Sequence, residues 1–159
     1  MRQNGGNLYL VRHGSAENPQ AVIYGGLPGF GLSATGRSKV AELAAWLHQR
    51  GVHRVYASPL RRAMETARII ADTCELTFPD LVPLEALTEA DMGEWEGKTI
   101  AEFDAAVGWP HTRANQNSVE PIETSGNRLV YAVSQLALVE RNSVVVSHED
   151  LIAGAMCMI

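Results

Sequence analysis

The stretch LYLVRHG, residues 8–14, runs from apolar side chains directly into an arginine and a histidine. The apolar run at residues 8–11 predicts a short buried strand, and Arg12 and His13 follow at its carboxyl end. A buried strand that ends on a cation and an imidazole side by side permits a ligand site at this point but does not require one. Which partners they meet there depends on the order of strands and helices in the rest of the chain.

Strand-like and helix-like segments alternate along the chain. Apolar runs predict further strands at RVYAS, residues 54–58, and at SVVVS, residues 143–147. The helix signals are Ser33 as an N-cap, Gly51 as a helix stop, and Thr99 with Glu102 as a capping box. Predicted helices follow Ser33, cover residues 61–72 and about 100–107, follow Glu123, and begin at about Asp150. This order predicts an α/β fold with a mainly parallel central sheet and helices on both faces, which is a three-layer αβα sandwich.

The composition limits the class of protein. A chain of 159 residues fits one domain, residues 1–159, and 46% of its residues are hydrophobic. A net charge of −5 argues against a nucleic-acid partner, because clustered lysines and arginines hold phosphate backbones. No apolar run is long enough to span a bilayer, and the first residues lack the apolar core of a signal peptide. We therefore expect no membrane partner and a cytoplasmic location, while the composition leaves the oligomeric state open.

Polar residues follow three of the predicted strands. Arg12 and His13 follow the first, residues 58–62 follow the second, and Ser147 and His148 stand at the end of the last. Sheets of this class bind ligands outside the carboxyl ends of their strands. We therefore expect two histidines and up to three arginines at one edge of the sheet.

Such an edge is suited to a phosphate group. Arg61 and Arg62 stand at the N-terminus of a predicted helix. The helix dipole makes this end unfavourable for cations unless an anion lies between them. The planar fork of arginine fits a phosphate, and a neutral imidazole can attack phosphorus to form a phosphohistidine that water later hydrolyses. The leaving group needs a proton, which a carboxylic acid with a raised pKa can supply. The stretch LTEADMGEWEG, residues 87–97, contains four acids: Glu89, Asp91, Glu94 and Glu96. The composition alone does not indicate which of them is the proton donor.

Each of these groups taken alone also has a purely structural interpretation. A single histidine after a strand is typically a hydrogen-bonded boundary residue, and an acidic loop is typically a solvated surface.

Four motifs together are more specific than any single residue. LVRHG, SPLRRAMETA, LTEADMGEWEG and VVVSHED, in this order over residues 10–150, resemble the motifs of the histidine phosphatase superfamily, also called phosphoglycerate mutase-like. The resemblance implies the fold of that family and a phosphohistidine mechanism that uses no cofactor.

The resemblance assigns three catalytic roles. It implies that His13 is the phosphorylated nucleophile and that His148 is its electrostatic partner. Glu89 lies where the family places its proton donor, with Asp91 as the alternative. No metal is expected, because the arginines and histidines already supply positive charge to the phosphate.

The resemblance also implies a set of phosphate-binding residues. Arg12 and Arg62 match the family's phosphate clamps, whereas Arg61 falls on a variable position and is expected at the rim. The family has an asparagine six residues beyond the histidine; Asn18 comes one residue earlier and is the candidate for that role. Glu123 is expected to open the long helix.

Two departures from the family pattern stand out. Glu149 replaces a glycine after the second histidine, and its carboxylate is expected to repel substrate or raise the pKa of His148 unless its side chain turns away. The chain stops at LIAGAMCMI, residues 151–159, where the family continues to another strand. We expect either a sheet that lacks an edge strand or, preferably, a clipped C-terminus.

These observations favour a phosphatase that acts on a small phosphorylated metabolite. The short chain argues against a phosphoglycerate-type mutase, which must enclose a bisphosphorylated intermediate. GEWEG, residues 93–97, resembles the small-molecule branch more than the protein phosphohistidine phosphatases. Glu149 motivates a further alternative, an inactive module that binds phosphorylated ligands. We expect the substrate to be selected by residues 19–31 and by the region around Trp109.

Overall fold

A sheet of four parallel strands forms the centre of the described chain. The structure is a computed structural model that describes residues 6–77, 79–106, 119–139 and 142–158. The strands are β1 (Leu8–Arg12), β2 (Arg54–Ala57), β3 (Leu81–Pro83) and β4 (Ser143–Ser147). They lie in the order β1-β4-β2-β3, and every neighbouring pair is parallel. Trp109 and Ile159 lie outside the described residues.

Five α-helices of the described chain connect and cover the strands. They are α1 (Ala34–His48), α2 (Arg61–Thr73), α3 (Ile100–Ala106), α4 (Ile122–Val139) and α5 (Glu149–Met156). The Ser33 hydroxyl accepts a hydrogen bond from the backbone N–H of Gly36 at 3.0 Å and so caps α1. Glu102 accepts one from the backbone N–H of Thr99 at 2.8 Å, which is the predicted capping box of α3. Among the described residues, no helix combines the length and apolar character that a membrane crossing requires.

Apolar side chains fill the space on both faces of the sheet. Val144 and Val146 of β4 point to one face, where they pack with α1 and α2. Val145 points to the other, where it packs with Leu129 of α4 and Leu151 of α5. All three valines are fully buried, because a central parallel strand is covered on both sides. The predicted three-layer αβα sandwich is therefore confirmed.

The strand β3 was not expected from the sequence. It has three residues and lies at the edge of the sheet, where Val55 is in register with Leu81 and Ala57 with Pro83. A proline has no N–H for the sheet ladder and is tolerated at an edge. The backbone N–H of the next residue, Leu84, donates to Ala57 O at 2.8 Å. This strand directs residues 84–97, which include the acidic loop, toward the carboxyl edge of the sheet.

The packing of α5 against α4 fixes the start of α5. A Cβ atom added at Gly126 of α4 would collide with the backbone of Gly154 of α5, so the two helix backbones are in direct contact. Because α5 begins at Glu149, this contact also fixes the residue before it, His148.

Candidate active site

His13 is buried at the carboxyl end of β1 with its reactive nitrogen directed toward the candidate site. Its backbone N–H donates to Ser147 O at 3.0 Å, which continues the β1–β4 ladder by one residue. Its Nδ1 lies 2.7 Å from Gly14 O. A carbonyl oxygen only accepts, so Nδ1 carries the proton and Nε2 keeps its lone pair. Burial, reinforced by Arg62 and Arg12, lowers the pKa of His13 to about 4, so the ring is neutral at pH 7.

Arg62 is a fully buried cation beside His13, with 1% of its surface exposed. Its Nε lies 3.1 Å from Nε2 of His13, and its Nη2 donates to Gly25 O at 2.8 Å. Its guanidinium carbon lies 4.5 Å from the centre of the Tyr24 ring, a cation–π distance. Burial lowers the pKa of Arg62, but an arginine stays protonated in proteins. The guanidinium is thus a fixed positive charge next to the lone pair of His13.

His148 presents a second imidazole, whose centre lies 5.1 Å from that of His13. Its Nε2 lies 2.7 Å from the hydroxyl of Ser58, which itself accepts from the backbone N–H of Leu60 at 3.3 Å. The hydroxyl can donate its proton to Nε2, and in that tautomer the ring proton lies on Nδ1. Nδ1 is buried and has no hydrogen-bond partner among the described residues, although Glu89 Oε2 lies 3.6 Å away. An unpartnered buried donor of this kind is suited to an incoming anion.

The charge state of His148 follows from its burial. Burial first, and then the positive charge of Arg62, lower the pKa of His148 to about 2, so the ring is neutral at pH 7. Glu149 does not raise this pKa, because its carboxylate turns to Arg12, which is the exception that the expectation allowed. The donor that His148 offers is therefore an uncharged N–H.

Glu89 is the acid of the loop that reaches the site. Its Oε2 lies 3.9 Å from Arg62 Nη2, and its Oε1 accepts from the backbone N–H of Ala90 at 3.1 Å. Burial, with the nearby charge of Asp150, raises the pKa of Glu89 to about 8. Arg62 and the Ala90 N–H favour the charged form, but the loss of hydration outweighs them. Glu89 is therefore mostly protonated at pH 7 and can act as a general acid.

A cleft of about 430 Å³ connects His13 and Glu89 to solvent. At its mouth Arg12 Nη2 lies 2.8 Å from Glu149 Oε2, and both side chains are more than half exposed. The lining combines apolar, aromatic and charged side chains, which include Arg12, His13, Tyr24, Glu89, Met92, Phe103, Asp104, Glu149 and Asp150. The structure thus brings together five of the six proposed site residues: Arg12, His13, Arg62, Glu89 and His148.

Asn18 does not join this group. Its amide accepts from the Val22 backbone N–H at 3.2 Å and donates to Val22 O at 2.9 Å, so both ends of the amide hold the loop together. Asp91 is also turned away and accepts from the backbone N–H of Gly93 at 2.8 Å. Arg61 is exposed and pairs with Glu65 at 2.8 Å, as expected for a rim residue.

Three residues of the site also have the arrangement of potential metal ligands. One atom each of His13, Glu89 and His148 lies within 4.8 Å of the other two. The guanidinium of Arg62 borders the same space, at 3.1 Å from the His13 nitrogen and 3.9 Å from the Glu89 oxygen. A fixed positive charge at these distances repels a cation and attracts an anion. The charges of the site therefore fit a phosphate better than a metal ion.

Three residues hold the site in shape in roles that the sequence did not predict. Ser58 orients His148, and Tyr24 covers the guanidinium of Arg62. The hydroxyl of Thr66 accepts from the Gly14 backbone N–H at 3.0 Å and donates to Arg62 O at 2.8 Å, which links the two motifs. The position of Ser58 at a strand end was a usable signal. Nothing in the local sequence distinguishes Thr66 from an ordinary helix residue.

Comparison with known proteins gives a consistent result. A family model described as histidine phosphatase superfamily, branch 1, matches residues 8–159. An uncharacterised protein of Mycobacterium tuberculosis is 49% identical over 102 residues, which are 62% of this chain and 47% of that protein. The chain thus spans less than half of the length of this relative.

Two further proteins resemble most of the chain. A 2,3-bisphosphoglycerate-dependent phosphoglycerate mutase of Thermoplasma acidophilum is 27% identical over 148 residues, which are 92% of this chain and 72% of the mutase. The solved structure of a mycobacterial glucosyl-3-phosphoglycerate phosphatase superimposes with a TM-score of 0.76 at 26% identity, over 95% of this chain and 77% of that one. The relatives therefore include both a phosphatase and a mutase.

Proposed function

Since this chain belongs to the histidine phosphatase superfamily, we propose that it hydrolyses a small phosphomonoester through a phosphohistidine formed on His13. The observation that carries the proposal is the state of His13. Its ring is neutral, its Nδ1 proton is held by Gly14 O, and its unprotonated Nε2 accepts a hydrogen bond from the buried guanidinium of Arg62, which the phosphate displaces as it enters. A nucleophile for phosphorus needs an unprotonated nitrogen next to positive charge, and His13 combines the two.

The first step transfers the phosphoryl group to the protein. His13 Nε2 attacks phosphorus, the N–P bond forms, and the P–O bond to the organic group breaks. Arg62 and the N–H of His148 donate to the phosphoryl oxygens, on which negative charge is spread in the transition state. Glu89 gives its proton to the departing oxygen, so that an alcohol leaves.

The second step releases phosphate and restores the site. Glu89, now a carboxylate, takes a proton from water as the water oxygen attacks phosphorus. The P–N bond breaks and His13 regains its neutral ring with the lone pair on Nε2. The sum of the two steps is the addition of one water molecule to the ester.

Access of water favours hydrolysis over internal transfer. A mutase must keep water from the phosphohistidine while its bisphosphorylated intermediate turns over. In this chain Arg12 and Glu149 at the mouth of the cleft are 53% and 56% exposed. The likeness to the mutase of Thermoplasma acidophilum keeps phosphoglycerate isomerisation as the second candidate.

The test compares the wild type with His13→Ala on p-nitrophenyl phosphate. His48→Ala is the matched control, because His48 is an exposed histidine at the end of α1. We expect His13→Ala to lose at least about 10³-fold in kcat/KM and His48→Ala to stay within about twofold of the wild type. The wild type quenched in alkali during turnover should carry a phosphate on His13, identified by mass spectrometry.

A second assay separates the alternatives. The protein is incubated with 3-phosphoglycerate and a trace of 2,3-bisphosphoglycerate. Isomerisation without release of phosphate would replace the proposed phosphatase by a mutase. Turnover no greater than that of His13→Ala on either substrate would leave a binding module instead of an enzyme.

A further inference from the structure

The ion pair between Arg12 and Glu149 occupies the mouth of the cleft. Arg12 ends β1 and Glu149 begins α5, and the two side chains meet at 2.8 Å beyond the carboxyl ends of the paired strands β1 and β4. Both line the same cleft as His13. In the resemblance to the family, Arg12 is a phosphate ligand, but here its guanidinium is engaged by a carboxylate of the chain itself.

The charges around the cleft are unevenly divided. Asp104 on α3 and Glu149 and Asp150 on α5 line it together with Glu89, whose raised pKa keeps it mostly protonated at pH 7. Among the described residues that line the cleft, Arg12 is the one arginine or lysine. Arg62 lies deeper, bound to His13 and Gly25. The organic part of a phosphomonoester points away from His13 and so lies among these outer charges.

Building on the proposed function, we propose that Glu149 is a specificity-determining residue. It selects phosphomonoesters whose organic part is positively charged or neutral over those that carry a carboxylate or a second phosphate. Arg12 is engaged by the phosphate being hydrolysed, so a second anionic group would meet the carboxylate of Glu149 instead of a cation.

The selection follows from an exchange of partners. The Arg12–Glu149 pair is exposed and therefore weak, so a bound phosphate dianion can draw Arg12 away. The carboxylate of Glu149 is then left without its partner at the place where the organic group lies. An ammonium group on the substrate replaces Arg12 there, whereas a carboxylate meets like charge.

The expected size of the effect follows from Coulomb's law. Two unit charges about 5 Å apart in water-like surroundings change a binding constant about fourfold. Glu149 should therefore favour a cationic substrate about fourfold and disfavour an anionic one about fourfold. The ratio of kcat/KM between the two substrates should then contain a factor of about 15 that depends on Glu149. Salt should reduce this factor, because the groups are exposed.

The experiment measures kcat/KM at low ionic strength for phosphoethanolamine, glycerol phosphate and phosphoglycolate, whose organic parts are cationic, neutral and anionic. Each is tested on the wild type, on Glu149→Gln and on Glu42→Gln, which removes an exposed charge of α1 outside the cleft. We expect Glu149→Gln to shift the ratio of phosphoethanolamine to phosphoglycolate about 15-fold toward phosphoglycolate. Glu42→Gln should shift it less than twofold. Circular dichroism and thermal unfolding verify that each variant is folded.

The result is read separately from the proposed function. Turnover of p-nitrophenyl phosphate that depends on His13 tests the phosphatase, whereas the substrate ratio tests the role of Glu149. If no ester is turned over, the same ratio is taken from dissociation constants measured by calorimetry with the three esters. A ratio that Glu149→Gln leaves within twofold of the wild-type value, by either route, overturns the inference.

Discussion

Replacement of Glu89 by glutamine tests the most specific feature of the proposed mechanism. At pH 7 a carboxyl group with a pKa of about 8 is about 90% protonated, whereas at the ordinary value of 4.5 it would be about 0.3% protonated. Burial thus increases the fraction in the acid form about 300-fold. Because general-acid catalysis typically contributes about 10² to 10⁴ in rate, Glu89→Gln should lose a factor in this range on substrates that need a proton.

The choice of leaving group makes the assay selective. The alkoxide of glycerol phosphate is a strong base and cannot depart without a proton, whereas p-nitrophenolate is a weak base and can. We expect Glu89→Gln to lower kcat/KM for glycerol phosphate at least about 100-fold and to lower that for p-nitrophenyl phosphate less than about tenfold. Glu94→Gln is the control, since Glu94 is an exposed acid of the same loop that does not line the cleft.

The dependence on pH adds a second readout. Wild-type kcat/KM for glycerol phosphate should fall as pH rises through about 8, where Glu89 loses its proton, and as pH falls through about 4, where His13 gains one. Glu89→Gln should remove the fall near pH 8 and keep the one near pH 4. Equal losses on both substrates, or a fall near pH 8 that persists in the variant, would refute the assignment of Glu89 as the acid.

Two further predictions concern the positive charge of the site. Arg62→Lys should lower kcat/KM for p-nitrophenyl phosphate about 100-fold, because an ammonium cannot keep the contacts of the guanidinium with both His13 and Gly25 O. The control Arg61→Lys, at the exposed rim, should change kcat/KM less than twofold. Equal effects of the two substitutions would contradict the assignment of Arg62 to the site. Activity should survive dialysis against EDTA, because Arg62 supplies the charge that a metal would provide. Loss of activity that Mg²⁺ or Zn²⁺ restores would contradict the metal-free mechanism.

Local patterns predicted the layers of the fold and the edge that carries the site. Alternating strands and helices imply a parallel sheet, and parallel strands bring their carboxyl ends to one edge, so Arg12, His13 and His148 could be placed together before any coordinates. The strand β3 was not predicted, because a segment of three residues that ends in Pro83 is too short to show a strand periodicity. Its position depends on pairing with β2, which is a long-range contact.

The detail of the site depends on contacts that the local sequence does not encode. Four acids of one loop were equivalent by composition, and burial by the surrounding chain distinguishes Glu89 from Asp91. The resemblance to the family pointed to Glu89 without a physical reason, and the raised pKa provides one. Asn18 shows the opposite case. A motif position alone proposed it as a phosphate ligand, whereas its amide is used by the backbone of Val22 four residues away.

The glycine contact between α4 and α5 bears on how this sequence can evolve. Gly126 is buried on a helix that contributes no side chain to the described lining of the cleft, yet any side chain there would push against Gly154 and displace α5. Because α5 starts directly after His148, the displacement would be transmitted to an imidazole whose hydrogen bond to Ser58 is only 2.7 Å long. In a saturation mutagenesis screen for activity, Gly126 and Gly154 should therefore tolerate as few substitutions as the residues of the active site itself.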